Sequence, residues 1–226
     1  MEIEQLEKVA TLIGEPARIK MLWALMDGRA YTATELAIAA DVSPQSASMH
    51  LSKLVAANFL KVISQGRHRY YSYHRAEVAY VVESLAGLVP QTIITKGHTT
   101  TNTTFRYCRS CYDHLAGTVG VAMTDRMLKL EYLIEKNSSY ELSINGYSFF
   151  NEIGINTDLL LEQKRPLIKP CLDWSERRFH LAGSGGAAML QKMLTDQWLR
   201  RVNDSRTLVF TSIGRSKIYD LLGLVI

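Results

Sequence analysis

The stretch Ser43-Pro44-Gln45-Ser46-Ala47-Ser48-Met49-His50-Leu51-Ser52-Lys53-Leu54 decides the reading of the fold. Ser43 can cap a helix whose first residue is Pro44. Ala47, Leu51 and Leu54 recur at helical spacing and point inward, while Gln45, Ser46, Ser48, Met49 and Lys53 fall on other faces. Just upstream, residues 32–40 predict a short helix and Asp41-Val42-Ser43 a tight turn. Two short helices joined by such a turn form a helix-turn-helix. Small polar residues in the first turns of the second helix suit entry of its N-terminal end into a DNA major groove.

Working outward, Asn58 ends this helix. Residues 59–64 predict a strand, residues 65–68 a turn and residues 69–74 a return strand. A hairpin with a basic tip directly after such a helix makes a wing. Residues 76–88 predict an amphipathic helix through Val78, Val81, Val82 and Leu85. Before the motif, residues 3–13 follow helical spacing and stop at Gly14. A second helix starts at Pro16, carries Ile19, Leu22, Trp23 and Met26 inward, and closes at Gly28.

The placement of charge agrees. The 226 residues carry a net charge of +4. Residues 1–90 are neutral, with nine basic and nine acidic residues, and residues 91–226 hold the excess. Yet from Val42 to Ala76 there is no acidic residue, while Lys53, Lys61, Arg67, Arg69, Arg75, His50, His68 and His74 fall inside that window. A one-sided window of this kind can face phosphates. Hydrophobic residues make up 47% and charged residues 21%, values that exclude a disordered or collagen-like chain. No apolar run reaches the roughly 18 residues of a membrane span. An acidic start, Met1-Glu2-Ile3-Glu4, is unlike a signal peptide, so a cytoplasmic location and no membrane partner are expected. Three cysteines fit reduced thiols better than a disulfide framework.

Residues 3–88 resemble the ArsR-type winged-helix repressors of bacteria. The matching pieces are Gly14 to Leu22, the Thr34-Glu35-Leu36-Ala37 helix start, Ser43 to Leu54, and the wing from Gly66-Arg67 to Tyr71. The resemblance implies a homodimer paired through the first and last helices of this domain, binding double-stranded DNA at an inverted repeat and released by a signal. Gln45, Ser46, Ser48 and Met49 are then the expected base-edge residues. Lys53, His50, Arg67 and Arg69 are expected on phosphate or in the minor groove, with Ser43 and His68 completing the DNA-binding set. Many family members sense metals through the helix here spanning 34–40 or through the last helix. Ala37-Ile38-Ala39 and Val78-Ala79-Tyr80-Val81-Val82 carry no ligand atoms, so the signal is expected elsewhere.

The expected fold is mainly α with small β. A winged helix-turn-helix domain spans residues 1–90, a threonine-rich linker 91–104 and a C-terminal α+β domain 105–226. The last repeats itself at an offset of 66. His114-Leu115-Ala116-Gly117 recurs as His180-Leu181-Ala182-Gly183, Gly120 as Gly186, Met127-Leu128 as Met193-Leu194, and Tyr132-Leu133 as Trp198-Leu199. This reads as an internal duplication, copies about 108–155 and 174–224, each a helix, a strand and a helix. Glycines within the two long helices predict a close helix crossing, with His114 and His180 meeting near it. Longer members of the family resemble the stretches 111–117 and 171–178.

Three readings of this half stay open. Cys111, Asp113 and His114 cluster in one copy and Cys171, Asp173 and His180 in the other, types that bind transition metals, so a metal ion is a candidate cofactor with Cys111, His114, Cys171 and His180 as candidate ligands, and Cys108-Arg109-Ser110-Cys111 has Cys-x-x-Cys redox spacing. Tyr112, Asp113, Asp173, Trp174 and Phe179 are candidates for a small-molecule effector pocket. The bland alternative is that the histidines and cysteines are structural. Ser175 is expected to cap a helix and the arginines after it to meet carboxylates. A thiol enzyme built on Cys111 and a histidine would lack any accompanying elbow or phosphate-loop motif, and an RNA-binding protein would lack a stacking platform. The reading is therefore a dimeric DNA-binding repressor, not an enzyme, whose C-terminal domain reads a small molecule, a metal or thiol oxidation. The alternatives are a purely structural C-terminal domain or a thiol or metal enzyme fused to the DNA-binding module.

Overall fold

A computed structural model describes residues 3–89, 103–137, 139–203 and 205–226. Most of the expected linker lies outside the described residues. Its last two threonines, Thr103 and Thr104, instead begin a short helix. The chain divides into two compact units, residues 1–101 and 102–226.

In the first unit, α1 (Ile3–Ile13) stops at Gly14 and α2 (Pro16–Ala24) starts at once. Glu15 caps α2 by accepting the Arg18 amide at 3.0 Å. The buried Arg18 guanidinium turns back and donates to the carbonyls of Thr11 and Leu12, so one residue serves the end of α1 and the start of α2. After β1 (Tyr31–Thr32) comes α3 (Ala33–Ala40), held by a reciprocal box. Glu35 N donates to Thr32 Oγ1, and Thr32 N donates to the Glu35 carboxylate. Asp41, left-handed at φ 57°, ends α3 and turns the chain into α4 (Pro44–Ala56), capped by Ser43. Strands β2 (Leu60–Gln65) and β3 (His68–Tyr73) pair antiparallel, and β1 joins β3 to give the order β1-β3-β2. Gly66 opens their two-residue turn at φ +59°, where a side chain would be strained. Helix α5 (Ala76–Gly87) follows. Met21, Leu22, Leu25, Met26, Leu36, Leu51 and Leu54 form the fully buried core, each such side chain contributing roughly 1.5–3 kcal/mol.

The second unit begins with α6 (Thr103–Tyr107). The order hairpin, helix, hairpin, helix then occurs twice. The first pass is β4 (Arg109–Cys111), β5 (His114–Ala116), α7 (Gly117–Lys129), β6 (Leu133–Lys136), β7 (Ser139–Leu142) and α8 (Ile144–Glu152). A short helix, α9 (Thr157–Leu161), follows. The second pass is β8 (Lys169–Leu172), β9 (Phe179–Ala182), α10 (Gly183–Thr195), β10 (Leu199–Arg201), β11 (Leu208–Phe210) and α11 (Ser212–Leu222). This corrects the expected helix–strand–helix plan: each pass holds two hairpins, and the second starts at Lys169 rather than at 174. Local details recur as well. Ser143 caps α8 through the Gly146 amide and donates to the Glu131 carbonyl. Thr211 caps α11 through the Gly214 amide and donates to the Gln197 carbonyl. One apolar core draws on both passes, with Met123, Met127, Leu133 and Phe149 beside Met189, Met193, Leu199 and Leu208.

The glycines serve a different contact from the expected helix crossing. Gly117 and Gly183 are the first residues of their helices, at φ +83° and +90°, so His114 and His180 belong to strands and not to helix faces. Helix α7 packs on β9 and α10 on β5, each helix against the hairpin of the other pass. A Cβ on Gly120 would stand 2.7 Å from the Leu115 carbonyl oxygen, and one on Gly186 2.6 Å from that of Leu181. The small residues admit a hairpin, not a second helix.

Candidate functional site

In the first unit α4 presents Gln45, Ser48, Met49 and Lys53 to solvent, Met49 at 52% exposure, with Ser46 half-buried. The spacing that sends Ala47, Leu51 and Leu54 into the core leaves these residues on the outside. Ser43 is exposed, and its hydroxyl is engaged as the helix cap. Arg67, His68 and Arg69 are exposed at the wing tip, beyond strands anchored at Leu60 and Tyr71. One expectation is corrected: His50 is buried, and its Nδ1 lies 3.2 Å from the Glu15 carboxylate. Its period in α4 carries it toward α2, so it joins the interior and is not available to a phosphate. Near neutrality the Glu15 carboxyl is ionised: burial works to raise its pKa, but the Arg18 and Ala17 amides and the His50 and Arg18 charges outweigh that and lower it.

The second unit brings Cys111, His114, Cys171 and His180 together, their donor atoms all within 4.8 Å of one another. The strand register does this. Cys111 stands opposite His114 across β4–β5, and Cys171 opposite His180 across β8–β9. Because β5 and β9 are neighbours, the two pairs face each other, with His114 Nε2 3.1 Å from His180 Nε2. Behind each imidazole stands a carboxylate. His114 Nδ1 is 3.3 Å from Asp113 Oδ1, and Arg165 binds Asp113 at 2.6 Å. His180 Nδ1 is 3.3 Å from Asp173 Oδ2, within ion-pair reach though off the line of a well-formed hydrogen bond.

Asp173 is heavily engaged. Its Oδ1 accepts from Arg109 Nη2 (2.8 Å), Ser175 N (2.9 Å), Ser175 Oγ (2.7 Å) and Glu176 N (3.1 Å), and its Oδ2 accepts from Gly117 N (2.7 Å). Burial works to raise its pKa, but His180, Arg109 and Ser175 outweigh that and hold it far below the usual carboxylate range. The same opposition lowers Asp113 through Arg165 and His114. In His180 burial works to lower the pKa, and Asp173 and Cys111 outweigh it and raise it. Arg109, 1% exposed, lies between the Phe105 ring (5.3 Å) and the Trp174 ring (4.8 Å).

Several expectations for this half change. Cys108 is separate from the four-residue cluster: it is part of the apolar core, and burial pushes its thiol up to about 12, so the Cys-x-x-Cys spacing does not mark a reactive pair. Residues 174–178 form the turn between β8 and β9 and not a helix start; the cap at that turn is Asp173, with Ser175 as one of its donors. Arg178 does meet a carboxylate, Asp125, at 2.6 Å. The five effector-pocket candidates do not converge. Tyr112 and Asp113 line a groove with Leu160, Gln163, Ser184 and Gln191, while Trp174 is buried under Arg106 and Arg109, Asp173 is enclosed, and Phe179 is exposed elsewhere on β9. The sequence groups Asp113 with Cys111 and His114 and Asp173 with Cys171 and His180; the fold adds that each carboxylate stands behind a histidine and that Arg109 is buried against Asp173. A repeated Cys-x-Asp, at Cys111-Tyr112-Asp113 and Cys171-Leu172-Asp173, is the signal that could have paired them.

Known proteins resemble this chain along most of its length. The profile of a helix-turn-helix domain family matches residues 13–63. A curated relative from Bacillus subtilis, the "Uncharacterized HTH-type transcriptional regulator YdfF", is 37% identical over 209 residues, which cover 92% of this chain and 92% of the relative. The solved structures named here each cover less than half of this chain. Reduced HlyU from Vibrio cholerae is 20% identical and covers 39% of this chain and 97% of its own, with a TM-score of 0.35. The homodimeric winged helix-turn-helix DNA-binding domain of Mb0332 from Mycobacterium bovis, a possible ArsR-family regulator, is 20% identical and covers 43% of this chain and 88% of its own, with a TM-score of 0.35. Among the described residues no helix is long and apolar enough to cross a membrane.

Proposed function

This chain belongs to the helix-turn-helix transcriptional regulators, and we propose that it is a dimeric repressor of the ArsR type that binds an inverted repeat in double-stranded DNA and is released by a signal read in its second unit. The observation that carries this reading is the outer face of α4. Gln45, Ser48, Met49 and Lys53 are exposed there, in the same unit as an exposed basic wing, within a window from which acids are absent. Gln45, Ser46, Ser48 and Met49 read base edges. Lys53, Arg67, His68 and Arg69 hold phosphates or enter the minor groove.

Dimerisation is supported by apolar side chains left uncovered on the first and last helices of the unit. Ile3, Leu6 and Val9 of α1 and Val81 and Leu85 of α5 are all exposed. A second copy of the chain would cover them, and the pair would present two α4 helices to two half-sites. The thiol-enzyme alternative has less support, since the Bacillus subtilis relative that matches 92% of this chain is described as a transcriptional regulator.

A gel shift with the DNA upstream of the protein's own gene tests the reading. Retardation that an excess of unrelated DNA does not compete away is expected. Equal competition by both DNAs would remove the sequence-specific repressor. Sedimentation equilibrium should give twice the chain mass, and a monomer at the concentrations that shift DNA would remove the dimer.

A further inference from the structure

We propose that Cys111, His114, Cys171 and His180 hold one zinc ion as a closed, four-ligand site that ties hairpin β4–β5 to hairpin β8–β9. The number and type of donors come first. Two thiols and two imidazoles converge within 4.8 Å, three of the four residues buried and Cys171 half-buried. A tetrahedral zinc site takes sulfur at about 2.3 Å and nitrogen at about 2.0–2.1 Å, which sets donor-to-donor edges of roughly 3.3–3.8 Å. The 3.1 Å between the two Nε2 atoms is close to such an edge already.

The proton inventory of the imidazoles points the same way. Asp173 is surrounded by donors and Asp113 is bound by Arg165, so both carboxylates are acceptors only. His114 Nδ1 reaches Asp113 within hydrogen-bond distance and His180 Nδ1 faces Asp173 at ion-pair distance, which leaves Nε2 of each ring turned toward the other ring. The two Nε2 atoms, 3.1 Å apart, share either a proton or a metal cation, and with two thiols at the same point a metal ion engages all four donors at once. Carboxylate, histidine, metal is the usual order in which an outer partner fixes the ring of a ligand. Two thiolates beside the imidazoles favour zinc over the hard cations magnesium and calcium.

All four positions are supplied by the protein. A catalytic zinc keeps one for water or substrate, so the ion here is a cross-link and not a reaction centre. Gly120 and Gly186 lie beside the cluster: a Cβ at either would collide with the Leu115 or Leu181 carbonyl and would touch the histidine of the other pass at ordinary contact distance, 3.6 Å from His180 Cβ and 3.4 Å from His114 Cβ. The proposal does not depend on DNA binding, and a failed gel shift leaves it standing.

Elemental analysis of the full chain, purified without chelator, should find about one zinc per chain. Cys111→Ser and Cys171→Ser should each lose at least nine-tenths of it, while Cys108→Ser keeps it. Because a ligand variant can also fail to fold, the unaltered chain should be stripped with a chelator and titrated with cobalt(II). A thiolate-to-cobalt charge-transfer band and the visible bands of tetrahedral cobalt, saturating at one equivalent, are expected. Absence of zinc together with absence of those bands would overturn the proposal. So would a Cys111–Cys171 disulfide in the freshly purified reduced-buffer protein, or equal loss of zinc in Cys108→Ser.

Discussion

Asp173 Oδ1 lies 2.8 Å from Arg109 Nη2, with both side chains almost wholly buried. The pair is not a simple exchange of charge for charge. Asp173 also receives the amides of Gly117, Ser175 and Glu176 and the Ser175 hydroxyl, so it fixes the start of α7 and the β8–β9 turn together. Asp173→Ala takes the carboxylate partner from the buried Arg109 guanidinium and the acceptor from three backbone amides, and should cost about 3–5 kcal/mol. Arg109→Met keeps the amides satisfied and should cost clearly less. Urea denaturation of the two variants checks the order; equal losses would reduce Asp173 to a counter-ion.

Arg67 sits at the exposed wing tip, one residue beyond Gly66. Arg67→Ala should weaken binding to specific and unrelated DNA alike and reduce the slope of log affinity against log salt by about one. Fluorescence anisotropy over a salt series measures both. An unchanged slope would take the wing off the phosphate backbone.

Gln45 is in the first turn of α4 and exposed. Gln45→Ala should cost about 1–3 kcal/mol on the operator, with little effect on unrelated sequence, and should relax the preference at one base pair. Competition binding with single-base operator variants reads this out. A uniform loss across all variants would make Gln45 a backbone contact.

The Thr32–Glu35 box gives the first unit a pH dependence. Hydrogen bonds from the Thr32 amide and hydroxyl hold the Glu35 carboxyl below its ordinary value. A carboxyl lowered in the fold contributes stability that is present above its unfolded pKa and is lost as pH falls through the folded one. Thr32→Ala should cost about 1 kcal/mol at neutral pH. Glu35→Gln should be less stable than the unaltered chain at neutral pH and converge with it toward about pH 3. Denaturation at the two pH values tests the sign.

Gly120 and Gly87 make a matched pair of substitutions. A Cβ at Gly120 meets the Leu115 carbonyl at 2.7 Å, whereas one at Gly87 meets nothing within 4 Å. Gly120→Ala should cost roughly 1–3 kcal/mol through overpacking. Gly87→Ala, near the end of α5, should be neutral or gain up to about 1 kcal/mol. Thermal unfolding of both compares them directly.

The first unit was legible because its signals are local. Pro44 after Ser43, apolar residues at helical spacing through Leu54, and a glycine turn between two strands each name their own element. The second unit was less so. Strands β4 and β5 are three residues long and buried on both faces, so no alternation announces them. His114 and His180 looked helical because Gly117 and Gly183 follow at helical spacing, yet the positive φ of those glycines ends the strand there. His50 was misplaced for a related reason: its charge type suggested phosphate, while its position in α4 buries it beside Glu15. The meeting of the two histidines followed from the repeat, but Asp113 and Asp173 behind them required the fold.

The hairpins carry a consequence for insertions. Two residues separate Cys111 from His114, and eight separate Cys171 from His180, yet both pairs stand directly opposite across their strands. The loop therefore does not measure the distance between thiol and imidazole; the pairing of the strands does. Relatives can lengthen or shorten a hairpin tip while keeping cysteine against histidine, and a search for fixed ligand spacing along the chain would overlook them.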